Sequence, residues 1–214
     1  INRGIDTEYF NKLLDDGIKD SLINTHQIDT AKKIILFPAR ITSWKGQLEF
    51  IDVIKKIDTQ NIFVLFAGDT KNESYTKLVR DKIKQNNLEG VCKILGSVNQ
   101  DEMRSLYQIA DLSVSFPLRA EGFGRTVSES LYSKTPVLAF DYGGVKNQLA
   151  NLSDMFKVKP QDYQGLPVKI EKLLSLTEDQ NKAVLEGAQA VIESNFSKIN
   201  MVNQYLKLYE SLKS

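Results

Sequence analysis

The chain contains little of what several classes of protein require. It has one cysteine and one histidine among 214 residues, and its charged residues balance to a net charge of +1. A single cysteine excludes an internal disulfide bond. A net charge near zero gives no general attraction to nucleic acid or to an anionic membrane. No apolar run approaches the ~20 residues that a transmembrane helix needs, and there is no signal-peptide pattern.

Familiar metal and nucleotide motifs are missing as well. The segment FPARITSWKG lacks the G-x-G-x-x-G fingerprint, and the sequence has neither a Walker-type loop nor a D-x-D pair of carboxylates. His26 has no cysteine or histidine partner at ligand spacing. We therefore predict no metal site and no cofactor, so that a bound anion has to be held by a local cluster. Cys92 lies in the apolar run VCKIL, where core packing is its expected role.

Short apolar runs alternate with segments of helical periodicity. Each run has the length of a strand and is almost continuously apolar, as expected for strands that are buried on both faces of a parallel sheet. The pattern predicts an α/β fold with a doubly wound parallel sheet. The predicted strands are Ile34–Phe37, Ile62–Phe66, Val91–Leu95, Leu112–Phe116, Val137–Phe140 and Met155–Val158.

Helices are predicted between the strands and throughout the region that follows Pro160. An apolar face at Phe50, Ile51 and Ile54 indicates a helix over Gln47–Ile57. Ser197 is a plausible N-cap for a final helix that carries an apolar stripe from Val202 to Tyr209. The predicted helices are Gln47–Ile57, Asp101–Ala110, Gln161–Leu176, Glu178–Glu193 and Ser197–Leu212.

Polar and glycine-containing segments follow the strands, and in a parallel sheet these segments emerge at one edge, where ligands bind. After the first strand, Arg40 and Lys45 place two cations suited to phosphate. The alternative for this pair is two solvated surface charges.

A second segment, Glu121 to Glu129, follows the fourth strand. Gly122 and Gly124 surround Phe123 and let backbone N–H groups approach a ligand. A helix that begins near Gly124 or Arg125 would aim its positive end at the same place. Glu129, about one turn into this helix, could accept hydrogen bonds from a ribose. The alternative is an ordinary glycine-rich loop before a helix.

Together these segments resemble the C-terminal donor-binding domain of GT-B glycosyltransferases of the glycosyltransferase 4 family (glycosyl transferases group 1). INRGIDTEYF is similar to the segment that enters that domain, and RITSWKG resembles its R-x-x-x-x-K-G element, although Ala39 stands where a glycine usually precedes the arginine. EGFGRTVSESLYSKTPVLAFDYGGV carries an E-x7-E signature and the Gly-Gly turn beyond it. The resemblance covers residues 1–150 well and the helical tail loosely.

The resemblance implies roles for individual residues. Arg40 and Lys45 would bind the diphosphate of a nucleotide sugar and stabilise the leaving group, and Glu121 would act on the transferred sugar. Glu129 would bind the ribose. Backbone groups would contact the sugar, the phosphates and the base, and the residues concerned are Gly122, Phe123 and Gly124 for the sugar, Arg125 and Thr126 for the phosphates, and Gly96 and Val98 for the base.

The resemblance also implies an organisation. We expect residues 1–194 to form the Rossmann-like nucleotide-sugar domain, and residues 195–214 a C-terminal helix that packs toward an N-terminal acceptor domain missing from this chain. The expected activity is retaining, metal-independent transfer of a hexosyl group from a UDP-, GDP- or ADP-linked donor to a glycan, lipid or other acceptor. This chain alone is expected to be inactive. The expected location is cytoplasmic, and peripheral association of the full-length protein with the membrane stays open. No nucleic-acid partner is expected.

Two other functions stay open at this point. The chain could be a non-catalytic module that binds nucleotides or sugars, or part of a nucleotide-sugar epimerase or hydrolase of related fold. The presence of all four charged residues, Arg40, Lys45, Glu121 and Glu129, favours the transferase.

Overall fold

A computed structural model describes residues 1–12, 16–150 and 152–213. Within these ranges the chain forms one six-stranded sheet in which all neighbouring strands are parallel, in the order β3-β2-β1-β4-β5-β6. This confirms the predicted doubly wound α/β fold. The strands are β1 Lys33–Pro38, β2 Ile62–Ala67, β3 Cys92–Gly96, β4 Leu112–Ser115, β5 Val137–Phe140 and β6 Lys157–Val158.

The strands are apolar along their length because helices cover both faces of the sheet. Every residue of β2, β4 and β5 is buried, and only the first residue of β1 is exposed. Cys92 is buried at the start of β3, as predicted. Burial raises the pKa of its thiol to about 12, so the thiol stays protonated and behaves as a small apolar group.

Ten α-helices lie among the described residues, together with a short 3-10 helix at Asp154–Phe156. The α-helices are α1 Thr7–Asn11, α2 Asp16–His26, α3 Gln47–Ile54, α4 Glu73–Gln85, α5 Gln100–Ile109, α6 Arg125–Tyr132, α7 Gly144–Leu149, α8 Leu166–Leu174, α9 Glu178–Phe196 and α10 Lys198–Ser211. None of them is long and apolar enough to cross a membrane.

Two predictions at the helix level need correction. The helix predicted from Gln161 begins at Leu166 instead, because Gln161 has a left-handed backbone (φ 64°) and Pro167 fits only the first turn of a helix. No helix was predicted for the N-terminal segment, where Asp6 caps the short helix α1. Neither α1 nor α2 shows the apolar periodicity from which a helix is predicted, because α1 is too short and α2 buries only Leu22.

The C-terminal helices begin where the sequence indicated. The Ser197 side chain accepts a hydrogen bond from the backbone N–H of Asn200 (3.2 Å), which confirms it as the N-cap of α10. Helix α10 has no buried residue. Its apolar side chains, including Val202, Leu206 and Tyr209, are exposed. Their packing against another domain stays a prediction, as does the domain boundary at residue 194.

The core beneath the candidate site is a line of phenylalanine rings. Phe50 of α3 lies 5.4 Å from Phe37, 6.4 Å from Phe66 and 5.6 Å from Phe116, measured between ring centroids. These rings join α3 to β1, β2 and the end of β4. They therefore fix the positions from which the loops of the site leave the sheet.

Replacing Phe50 with alanine should lower the free energy of unfolding by roughly 3–5 kcal/mol, because it opens a cavity among close-packed rings. Tyr209→Ala is the control, since Tyr209 is an exposed aromatic residue on α10, and its effect should stay within about 0.5 kcal/mol. Urea denaturation of both variants measures the difference. Equal losses of unfolding free energy in the two variants would show that the line of phenylalanine rings does not anchor the core.

Candidate functional site

A cleft of about 640 Å³ opens at the carboxyl edge of the sheet, between the loop after β1 and the loop after β4. Its walls contain eight of the predicted site residues. These are Arg40, Lys45, Glu121, Gly122, Phe123, Gly124, Arg125 and Thr126. Most of the residues that line the cleft are therefore ones that the sequence predicts for the site.

The two loops are fixed to each other through their backbones. The N–H of Leu118 donates to the carbonyl of Trp44 at 2.8 Å. Gly46 has φ +87°, and a Cβ there would lie 2.2 Å from the carbonyl oxygen of Phe116. This close approach requires glycine, and it brings Lys45 to the loop that carries Glu121.

Lys45 and Glu121 form an ion pair across the cleft. Both side chains are largely withdrawn from water, with 16% and 11% of their surfaces exposed. The Lys45 ammonium also lies 4.3 Å from the ring centroid of Trp44, a cation–π contact. The glutamate and the indole thus hold the lysine in place, and a bound anion would meet a positioned charge.

The rest of the cleft has an excess of positive charge. Arg3, Arg40 and Arg125 line it together with Lys45, against the single carboxylate of Glu121. Helix α6 begins at its wall, with Gly124 as N-cap in a left-handed conformation, no capping side chain and no acidic residue in the first turn. The positive end of the helix dipole is therefore not neutralised by its own side chains.

Glu129 lies behind this wall, with 8% of its surface exposed. Arg125 Nη2 lies 2.8 Å from Glu129 Oε1, and the Tyr107 hydroxyl donates to Oε2 at 3.1 Å. Burial first, and then the Glu129 carboxylate, raise the pKa of Tyr107, so its hydroxyl stays a donor. A ligand hydroxyl that binds Glu129 has to share or replace the bond from Arg125.

Gly96 and Val98 are outside the cleft walls. Gly96 ends β3 with φ +81°, and its carbonyl accepts the N–H of Gly68 at 2.9 Å. Val98 is half-buried against the core. Strand β3 is separated from β1 by β2. A base that reaches this loop would have to extend along the sheet edge, so the contact stays a prediction.

Three further cleft residues, Arg3, Trp44 and Ala120, were not predicted. Arg3 is brought there by a parallel bridge between Ile5 and Ser197, in which the Ile5 N–H donates to Phe196 O at 2.8 Å. This contact joins segments near the two ends of the chain, so no local sequence pattern predicts it. The Trp44 side chain could have been suspected, because it directly precedes Lys45 in the R-x-x-x-x-K-G element.

The Gly-Gly turn supports the cleft from outside. Gly144 N–H donates to the Glu121 carbonyl at 2.7 Å, and a Cβ on Gly144 would lie 2.3 Å from the carbonyl oxygen of Gly122. Tyr142, just before this turn, donates its hydroxyl to Pro117 O at 2.7 Å. Burial and the nearby Glu121 carboxylate raise the pKa of Tyr142, which keeps the phenol protonated.

In the described ranges, no group of three or more His, Cys, Asp or Glu residues is placed to hold a metal ion.

Solved structures from other organisms have the same fold. A glycosyltransferase of Rickettsia africae superposes with a TM-score of 0.91 at 28% identity, over 99% of this chain and 56% of that one. HepE of Anabaena, solved in complex with UDP and glucose, has a TM-score of 0.83 at 23% identity, over 97% of this chain and 55% of that one. At that identity the likeness to HepE shows the fold.

Comparison of sequences also finds proteins that are similar to this chain. Trehalose synthase of Thermococcus litoralis is 29% identical over 193 residues, which are 86% of this chain and 45% of the synthase. The chain thus spans about half the length of the curated relatives that it matches. The model of the family Glycosyl transferases group 1 matches residues 18–190. The chain belongs to the glycosyl transferases group 1 family.

Proposed function

We propose that this chain is the donor-binding half of a retaining, metal-independent glycosyltransferase. It would bind a nucleoside-diphosphate sugar, and its full-length protein would transfer the hexosyl group to a glycan, lipid or other acceptor. One observation carries the proposal: the cations Arg40 and Lys45, the start of α6 and the carboxylate of Glu121 meet in one cleft. A diphosphate joined to a sugar has the charge and the hydroxyls that this combination recognises.

The diphosphate is assigned to the positive part of the cleft. Arg40 can form bidentate hydrogen bonds to phosphate oxygens, and Lys45 adds a point charge. Backbone N–H groups of Arg125 and Thr126, in the first turn of α6, add to these donors. When the bond between the sugar and the diphosphate breaks, negative charge develops on the departing oxygen. Donors that are already in place stabilise this charge, which is how the cleft would accelerate transfer without a metal ion.

Glu121 and the backbone of Gly122, Phe123 and Gly124 are assigned to the sugar. One oxygen of the carboxylate, Oε1, is paired with Lys45, and Glu121 lines the cleft. Glu121 can accept hydrogen bonds from sugar hydroxyls while Lys45 contacts the nearest phosphate. The ion pair thus joins the sugar part of the site to the phosphate part.

Glu129 is assigned to the ribose. Its carboxylate is fixed by Tyr107 on one side and by the more exposed Arg125 on the other. The Arg125 side chain is 59% exposed and can turn from Glu129 toward the diphosphate. A ribose hydroxyl could then take its place at Glu129. After this exchange Glu129 would accept hydrogen bonds from two neutral hydroxyl groups, and Arg125 would be paired with the diphosphate.

The acceptor site is assigned to a domain outside this chain. The cleft is open, and the described residues form one sheet and no second α/β unit. Closure by another domain would exclude water and align the acceptor hydroxyl, and orientation of this kind supplies roughly 7–11 kcal/mol of a reaction barrier. The exposed apolar side chains of α10 offer a surface for such a domain.

The first prediction on function is that the chain binds UDP, GDP or ADP in the presence of EDTA, and more weakly as salt rises, because salt screens exposed phosphate contacts. Lys45→Ala should lower affinity by roughly 1.5–3 kcal/mol. Lys77→Ala is the matched control, since Lys77 is also paired, with Asp81 at 2.6 Å, but lies on α4. Calorimetry measures all three proteins, with melting temperatures alongside. Binding that strictly requires added magnesium would contradict the proposal.

The second prediction separates the two glutamates. Glu129→Ala should cost roughly 1.5–3 kcal/mol of affinity for the preferred nucleoside diphosphate, and much less for pyrophosphate, which has no ribose. Titration of both ligands into the variant and the unaltered chain gives the comparison. If both ligands lose affinity equally, Glu129 does not bind the ribose.

The third prediction is that the chain alone binds a donor but does not transfer its sugar. Incubation with the nucleotide sugar that binds best and with a panel of acceptors should give at most slow hydrolysis. Multiple turnovers of glycoside formation would contradict the half-enzyme assignment. In the full-length protein the same product assay separates the alternatives, because a glycoside indicates transfer, an epimer or free sugar indicates the related enzymes, and no product indicates a binding module.

A further inference from the structure

A buried glutamine outside the cleft is bonded to the backbone of the cleft wall. Gln148 of α7 has none of its surface exposed. Its amide nitrogen donates to the carbonyl oxygens of Phe123 and Gly124, the latter at 3.3 Å, and its amide oxygen accepts the hydroxyl of Ser128. Carbonyl oxygens only accept hydrogen bonds, so the amide nitrogen has to face them. All of this polar side chain is thus directed at α6 and the turn that enters it.

These bonds determine where the N–H groups of the turn point. In a trans peptide unit the C=O and the N–H that follows it lie in one plane and point in opposite directions. Holding the Phe123 carbonyl toward the buried Gln148 therefore directs the Gly124 N–H the other way, and the Gly124 carbonyl does the same for the Arg125 N–H. Phe123, Gly124 and Arg125 all line the cleft.

The bond to Phe123 is the more informative of the two. The Gly124 carbonyl also accepts the Val127 N–H at 3.0 Å, as the first bond of α6, so part of its orientation comes from the helix. The Phe123 carbonyl precedes the helix, and its bond comes from Gln148. Helix α7 is also packed directly on this turn, since a Cβ on Gly124 would lie 2.4 Å from Val145 Cγ2.

We propose that Gln148 is a positioning residue for the diphosphate. It would act through the backbone, by holding the Arg125 N–H toward the phosphates and the Gly124 N–H toward the point where the diphosphate joins the sugar, without touching the ligand. This inference rests on the proposed function, because it assigns Gln148 to the same site.

The test compares three variants in this chain, with inorganic pyrophosphate as the probe. Gln148→Met keeps the approximate length of the side chain and removes its hydrogen bonds. Ser128→Ala removes only the anchor of the amide oxygen. Gln189→Met is the matched control, since Gln189 of α9 donates to the carbonyl of Tyr132 at 2.9 Å, at the opposite end of α6.

Pyrophosphate affinity should fall about tenfold in Gln148→Met, because misdirected donors lose the bonds that they make to the ligand. It should fall less in Ser128→Ala, and stay within about twofold in Gln189→Met, even where the melting temperatures of the variants fall alike. In NMR spectra, the Gly124 and Arg125 amide signals should respond to pyrophosphate in the unaltered chain and respond less in Gln148→Met.

The outcomes distinguish this inference from the function on which it rests. If the unaltered chain binds pyrophosphate and folded Gln148→Met binds it within about twofold as well, the inference is wrong and the proposed function stands. If Gln148→Met does not fold, unchanged affinity and unchanged amide responses in Ser128→Ala overturn the inference in the same way. If the unaltered chain binds neither pyrophosphate nor any nucleoside diphosphate, both are wrong.

Discussion

The parallel direction of the strands is the constraint on which the rest of the structure depends. Because β1, β4 and β5 all run the same way, the loops that follow them leave the sheet at one edge, although they are far apart in the sequence. Arg40 and Lys45 follow β1, Glu121 follows β4, and the Gly-Gly turn follows β5. The line of phenylalanine rings below keeps these exits at fixed distances. This geometry alone brings groups from several loops to one place, where they can contact different parts of one ligand.

The charges at that edge form ion pairs with each other. Lys45 is held by Glu121, and Arg125 is held by Glu129. A buried or half-buried charge without a partner is costly, and these pairs avoid that cost. The Lys45–Glu121 pair lies across the cleft and the Arg125–Glu129 pair lies at and behind its wall, so each pair places a carboxylate beside a cation. In the proposed function, the ligand joins the Lys45–Glu121 pair and separates the Arg125–Glu129 pair, because Arg125 turns to the diphosphate.

Much of the fold and of the cleft could be predicted from the sequence, because both depend on local signals. The apolar runs predicted the first five strands and part of the sixth, where Met155 and Phe156 form a 3-10 helix and only Lys157–Val158 are strand. The two glycines around Phe123, followed by Arg125, predicted the start of α6. What could not be predicted depends on contacts between distant segments. Arg3 reaches the cleft through the pairing of Ile5 with Ser197, and Gln148 reaches the Phe123 carbonyl from another helix. The engagement of Glu129 by Tyr107 is likewise a contact between two helices. Helix α8 begins later than its sequence suggested, because a left-handed residue interrupts an otherwise helical composition.

The most direct test is a crystal structure of this chain with UDP and glucose, the ligands of HepE, which has the same fold. GDP and ADP would follow if UDP does not bind. The diphosphate is expected between Arg40 and Lys45 on one side and the N–H groups of Arg125 and Thr126 on the other, with the sugar beside Glu121. The Arg125 side chain should have left Glu129 for the phosphates, with a ribose hydroxyl in its place. A nucleotide bound elsewhere, or bound in this cleft with its sugar or base where the diphosphate is expected, would contradict the assignment of the site.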